Sequence, residues 1–376
     1  MKEYMDKSIF RKRITGLRQN LARMDCDTAW IIQPENRRYM SGFRAEDSQF
    51  TESSGSLLIN ETLCFLTTDS RYTLDAERDA VEYDVQTLKK GLVEGLPGLL
   101  KHMGTKNLGF EGDYLTWGLH RELSERLLEE SPPVHLMPLN GLVEEMRVVK
   151  DELEIRTLEE SADLMSGILD EVINGLVPGM TEKQVAWQIG GLVRESGAEG
   201  LAFQSIVASG PNSAFPHAVP TDRKLEKGAP VILDVGLRLK GYCSDMTRTV
   251  FLGDPSPDFM EIYRTVREAQ TAALKEVRSG VMSNHPDAVA REVINDAGFG
   301  DYFGHGLGHG VGLATHERPR LSPLKPSKLE KGMVMTVEPG IYIPGKGGVR
   351  LEEMVVIEAD GPRVLTKAGN FYDFTS

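Results

Sequence analysis

Cysteine is scarce. The 376 residues hold three, Cys26, Cys64 and Cys243, far apart and without a CxxC pair. That excludes a disulfide framework and a thiolate metal site. Long apolar runs are missing as well, and no stretch approaches the ~20 residues that cross a bilayer. The start, MKEYMDKSIFRKR, lacks the apolar segment of a secretory leader and carries Glu3 and Asp6, which transit peptides avoid. Positive charge is in deficit, with 43 Lys and Arg against 56 Asp and Glu, a net charge of -13 at pH 7. A general nucleic-acid binder, which needs a basic face for phosphates, is excluded. No repeat of solenoid period and no low-complexity tract breaks the chain. These absences lead to the expectation of a cytoplasmic protein with reduced thiols and neither a membrane nor a nucleic-acid partner. Its acidic balance suits a site that holds cations.

What remains is ordinary globular material, 40% hydrophobic and 26% charged, in a chain long enough for two domains. Phe10, Ile14, Leu17, Leu21 and Met24 recur at helical spacing. TAWII reads as a strand, GSLLI and TLCFL as a hairpin about Asn60-Glu61, and NLGF as a strand between two helices, LVEGLPGLLKHM and WGLHRELSERLL. A Pro-rich SPPVHLMPL closes this α/β section, and the texture changes near 140 to 150. MRVVKDELEIRTLEESADLMSGILDEVINGL reads as one long helix stopped by Pro178-Gly179, and Thr181 with Gln184 forms a capping box for the next. Two domains are expected, 1–140 and 141–376.

The second half carries the chemistry. In VILDVGLRLKGYCSDMTRTV, Val231, Leu233, Val235, Leu237 and Leu239 alternate at strand period, and Lys240-Gly241 sits where a tight turn belongs. Folded there, Asp234 and Asp245 come within about one diagonal cross-strand step, roughly 7–8 Å between backbones. Two buried carboxylates at that distance either share a metal or repel each other. Taken alone, they fit solvent-facing strand ends equally well. In MVMTVEPGIYIPGKGGVRLEEMVVI, Glu338 precedes Pro339-Gly340 and Glu352 follows a Gly-rich turn, so a second hairpin would bring these acids together.

YFGHGLGHGVGLATHERPR sets His305, His309 and His316 among five glycines. It is no HExxH helix, because the Glu is absent and the glycines oppose a helix. The glycines would let the backbone pass close to metals and substrate, with one histidine binding; a Gly-rich surface loop is the alternative. Four carboxylates with one histidine make a hard donor set. It suits Mn²⁺, Fe²⁺, Co²⁺ or Zn²⁺ in a two-metal centre rather than a structural zinc.

With these residues in hand, the chain resembles the pita-bread metallopeptidases, in the branch with a creatinase-like N-terminal domain that contains Xaa-Pro aminopeptidases and Xaa-Pro dipeptidases (prolidases). NRRYMSGF and TTDSRYTLDA carry the N-terminal part of the resemblance. SGPNSAFPHAVP, LDVGLRLKGYCSDMTRT, GHGLGHGVGL, TVEPGIY and VRLEEMVVI carry the rest, in family order. The resemblance implies a creatinase-like α/β domain followed by a pita-bread α+β domain with a curved, mainly antiparallel sheet. It further implies two divalent ions, manganese first, with cobalt, zinc or iron as alternatives. Asp234 would hold one ion, His309 and Glu338 the other, and Asp245 and Glu352 would bridge them.

The resemblance also implies that His217 contacts the scissile peptide and that His316 stabilises the tetrahedral intermediate or moves a proton. Glu338 would handle the proton of the attacking water, His305 would line the pocket, and Arg350 would orient carboxylates at the substrate site. Arg320, four after His316, resembles an arginine that takes a dipeptide's free carboxylate, although a surface charge beside Pro319 and Pro323 reads as well. Ala314-Thr315 and Leu351-Glu352-Glu353 depart from the more usual residues without removing a ligand. The expected substrate is a proline-containing peptide cleaved after its N-terminal residue, dipeptides included, by a homodimer. A non-peptide metallohydrolase or lyase and a non-catalytic binding scaffold stand as alternatives.

Overall fold

The computed structural model describes residues 8–47, 52–369 and 371–372. It divides into two compact units, Met1–Arg147 and Val148–Ser376. The first contains α1 (Ser8–Leu21), β1 (Thr28–Ile31), α2 (Pro34–Ser41), β2 (Ser56–Asn60), β3 (Cys64–Thr68), α3 (Thr73–Asp79), β4 (Asp84–Thr87), α4 (Leu92–Met103), β5 (Asn107–Phe110), α5 (Trp117–Leu128) and β6 (His135–Pro138). Its six-stranded sheet runs β4-β3-β2-β1-β5-β6. The β1-β2-β3 meander is antiparallel, with β4, β5 and β6 added in parallel. Trp30, Leu58, Leu96, Leu100, Leu108, Leu123 and Leu127 pack between sheet and helices, all fully buried. Each contributes ~1.5–3 kcal/mol.

The Pro-rich SPPVHLMPL that closes this section supplies edge strand β6. An edge tolerates prolines because one side needs no ladder bonds. The sequence reading placed the domain boundary at 140; α6 (Leu142–Val148) follows it. The first unit holds α6 through Arg147, which donates to Asn36 Oδ1, and through Tyr39, which donates to the Met146 carbonyl.

The helix expected across residues 146–176 is two. After α6 the chain pauses, and α7 (Glu152–Gly175) starts at a capping box between Asp151 and Glu154. The pause is tertiary in origin. The Lys150 amide donates to the Gly332 carbonyl, and Val149 bridges Met333, which withdraws these backbones from helical pairing. Then α8 (Glu182–Glu195) opens on the Thr181–Gln184 box that the sequence signals.

Strands β7 (Gly200–Leu201), β8 (Ile206–Ser209), β9 (Pro230–Val235), β10 (Leu237–Leu239), β11 (Tyr242–Cys243) and β12 (Met246–Phe251) follow. After α9 (Pro257–Glu276) and α10 (Asn284–Asp296) come β13 (Gly308–Gly310), β14 (Glu317–Leu321), β15 (Val334–Val337), β16 (Gly340–Ile343), β17 (Gly347–Arg350), β18 (Glu353–Glu358) and β19 (Gly361–Val364). The ladders among these strands are antiparallel. α7 and α8 cover one apolar cluster centred on Leu169, Val185, Leu233 and Val235, and α9 and α10 cover another around Tyr263, Val266, Met335 and Val355. Among the described residues, no helix is long and apolar enough to cross a membrane.

Candidate metal centre

Two hairpins build the site. In the first, Leu239 pairs with Tyr242, so Lys240 and Gly241 form a two-residue turn. Both have positive φ, 50° and 89°, the geometry that matches the twist of paired strands. Further down, Asp234 faces Thr247 across the β9–β12 ladder. Asp245, two before Thr247, is therefore the diagonal neighbour of Asp234 on the same face. In the second hairpin, Val337 pairs with Glu353 and Gly340 with Arg350. These pairings share one register, which sets Glu338 opposite Glu352. Their ladders meet where the Glu352 amide donates to the Thr247 carbonyl.

The third component is β13. A Cβ on Gly308 would overlap the carbonyl of Thr336, so β13 lies against β15 only because that residue is glycine. This brings His309 to the acids, with Nε2 3.3 Å from Glu338 Oε1 and 3.7 Å from Asp245 Oδ2. Its Nδ1 lies 3.1 Å from the Gly310 carbonyl. A carbonyl only accepts, so Nδ1 carries a proton and Nε2 is the ring atom turned to the carboxylates. The stretch ahead of it is pinned from α10. Arg291 is clamped by Asp287 and donates to the carbonyls of Phe303 and His305.

Burial holds the Asp245 and Glu352 carboxyls well above their ordinary range, and the surrounding acids add to the rise. Asp234 is raised by burial too, even though Arg350 opposes the shift. Glu338 goes the other way. Burial raises it, but the hydrogen bond and charge of His309 outweigh that and hold it at about 2.

Three observations fit this set to divalent cations. One oxygen of Asp234 bonds Arg350 at 2.6 Å, while the buried Oδ1 has no protein partner. Asp245, His309 and Glu352 present ligand atoms within 4.8 Å of one another. Ligands that share one ion at about 2.0–2.2 Å stand on the order of 3–3.5 Å apart, as Nε2 of His309 and Oε1 of Glu338 do.

The remaining expected residues line one cavity of about 960 Å³ together with the acids: His217, His305, His316, Arg320 and Arg350. His217, His316 and Arg320 are exposed to it. His316 stands with its ring 4.2 Å from that of His309. Burial, aided by the charges of His309 and Arg320, lowers its pKa to about 4. Arg350 is buried, and donates to Asp234, Thr247, Tyr342 and the Pro216 carbonyl.

Two participants escaped the sequence reading. Thr247 donates to Glu352 at 2.7 Å. Tyr342 accepts from Arg350 and lies 2.9 Å from His305 Nε2. Since His305 Nδ1 faces the Gly306 carbonyl at 2.8 Å, it is the tyrosine that donates to Nε2. The available signal was strand period: Thr247 lies two after Asp245 and Tyr342 four after Glu338, on the same faces.

Comparison with known proteins places this arrangement. Residues 156–359 match metallopeptidase family M24, and residues 13–149 match the creatinase/prolidase N-terminal domain. The chain is similar to an uncharacterized peptidase of Bacillus subtilis, 37% identical over 94% of this chain and 97% of the relative. It superposes on a structure of an Xaa-Pro dipeptidase from Bacillus anthracis with a TM-score of 0.89, at 36% identity over 95% of this chain and 98% of the other. An X-Pro aminopeptidase structure from Thermotoga maritima gives 0.82, at 36% identity over 93% and 97%.

Proposed function

The chain belongs to metallopeptidase family M24 and carries a creatinase/prolidase N-terminal domain, and on that premise we propose that it hydrolyses the Xaa-Pro bond of dipeptides and of short peptides at their N-terminus. The observation that carries the reading is the buried convergence of Asp234, Asp245, Glu338 and Glu352 on His309, with acids raised by their own crowding. In this reading these five residues hold two divalent ions, manganese first, with cobalt, zinc or iron as alternatives. Asp245 and Glu352 would help to hold both. Bound there, the ions supply charge that polarises the scissile carbonyl and makes an attacking water more acidic.

The chain's own groups divide the remaining work. Glu338, held ionised, accepts the proton of the attacking water. His316 is neutral near pH 7 and donates a hydrogen bond to the oxygen that gains charge. His217, exposed in the cavity, contacts the peptide and hands a proton to the departing proline nitrogen. A peptide bond to proline has no N–H, so recognition falls on the ring and on the peptide's ends. Arg320 offers a dipeptide's free carboxylate a partner, and His305 and Arg350 hold the cavity wall. The same proposal includes a homodimer acting in the cytoplasm. The test compares metal-reconstituted enzyme on Xaa-Pro dipeptides, Xaa-Pro-Yaa tripeptides and proline-free controls. Cleavage confined to the proline substrates supports the assignment; equal rates on the controls overturn it.

A further inference from the structure

Behind the cavity lies a buried ion pair that none of this chemistry uses. Lys150 Nζ donates to Glu317 Oε2 at 3.1 Å, with side-chain exposures of 1% and 7%. Its backbone is fixed by the bond to Gly332, and α7 begins directly after it. The other Glu317 oxygen accepts from the Ala314 amide at 2.9 Å. Glu317 also opens β14 and pairs with Gly310 at the point where the β13–β14 register shifts. The carboxylate thus ties the neck of the 310–317 excursion on both sides.

His316 sits immediately before it. His316 lies in the bend that leads into β14 and lines the cavity with its ring against that of His309, so the tie of Glu317 to Lys150 anchors the backbone from which it projects. Ala314 and Thr315, the residues leading into His316, are small and only half-buried, so they offer little apolar anchorage of their own. A buried pair is a poor source of net stability, because desolvation offsets its attraction; fixing one geometry is a role that burial does not cancel.

We propose that the Lys150–Glu317 ion pair is a positioning device that fixes the orientation of His316 over the carboxylate cluster. The proposal rests on the role given to His316 above. In the full-length, manganese-loaded enzyme, Lys150→Met/Glu317→Gln removes both charges without stranding either. We expect unchanged metal content, KM within about twofold and kcat reduced roughly 10- to 100-fold, the range for groups that orient others. In a His316→Ala background the same pair of substitutions changes kcat by less than about twofold, since residues acting as a unit are non-additive. Glu317→Asp keeps the charge but withdraws the carboxylate by one methylene. It provides the same cycle in milder form if the double variant does not fold. Full additivity in the His316→Ala background, or a KM effect without a kcat effect, overturns the positioning role alone. A His316→Ala enzyme with wild-type kcat overturns the role of His316 and the proposal together.

Discussion

Asp245, a residue 4% exposed, has the carboxyls of Asp234, Glu338 and Glu352 for neighbours. Ionised in a metal-free chain, it would be an uncompensated buried charge; in the proposed reading, divalent ions would make it a ligand. Asp245→Asn is therefore expected to abolish hydrolysis and metal pairing, yet to raise the melting temperature of the metal-free protein by the equivalent of about 1 kcal/mol. Calorimetry in chelator checks this, and a lower melting temperature would contradict it. The pH dependence has the same root. Asp245 and Glu352 have folded-state pKa values raised above their ordinary 3.8 and 4.5, so the folded chain binds their protons more tightly than the unfolded chain. Their contribution to stability is complete below the ordinary values and is lost as pH rises through the raised ones. Metal-free protein should lose stability from this source as pH rises above the ordinary carboxylate values, and saturating manganese should flatten the trend. Denaturant titrations at several pH values, with and without manganese, measure it. His316→Ala should lower kcat roughly 10²–10³-fold with little change in KM, the effect of losing one donor to a developing oxyanion. At this scale the acids were legible because Asp and Glu are out of place in apolar strands. Thr247 and Tyr342 were not, since both are ordinary strand residues, and Lys150 falls inside what reads as one long helix.

Elements explain why those acids meet. The first hairpin could be read because turn and alternation agree: Lys240-Gly241 forms the turn, and its register places Asp245 diagonal to Asp234. The second was legible by the same logic from Pro339-Gly340 and the Gly-rich turn before Arg350. The break between α6 and α7 was hidden, because apolar helical period runs through it while the pairing of Val149 and Lys150 with Met333 and Gly332 is long-range. The Gly-rich segment belongs here too. Gly308→Ala forces β13 away from β15 at the Thr336 carbonyl and should cost about 1–3 kcal/mol, as overpacking does. Urea unfolding reads that loss. Because His309 rides on β13, manganese affinity should fall with it, and an unchanged affinity would show that β13 does not set the ligand's place.

For the whole molecule, the two units carry different work. The first is a mixed sheet closed by apolar helices, and the described acids and histidines of the centre all lie in the second. The proposed homodimer is checked by light scattering across the concentration range of the assay; a fully active monomer would refute it. The proposed function depends on one convergence, two β-hairpins and one imidazole that would deliver five ligands to a pair of ions. The most direct measurement is a manganese titration of metal-free protein followed by electron paramagnetic resonance. Two ions per chain with the spectrum of a coupled pair are expected, with loss of the coupling in Asp245→Asn. A single isolated ion, or binding that Asp245→Asn leaves unchanged, would contradict it.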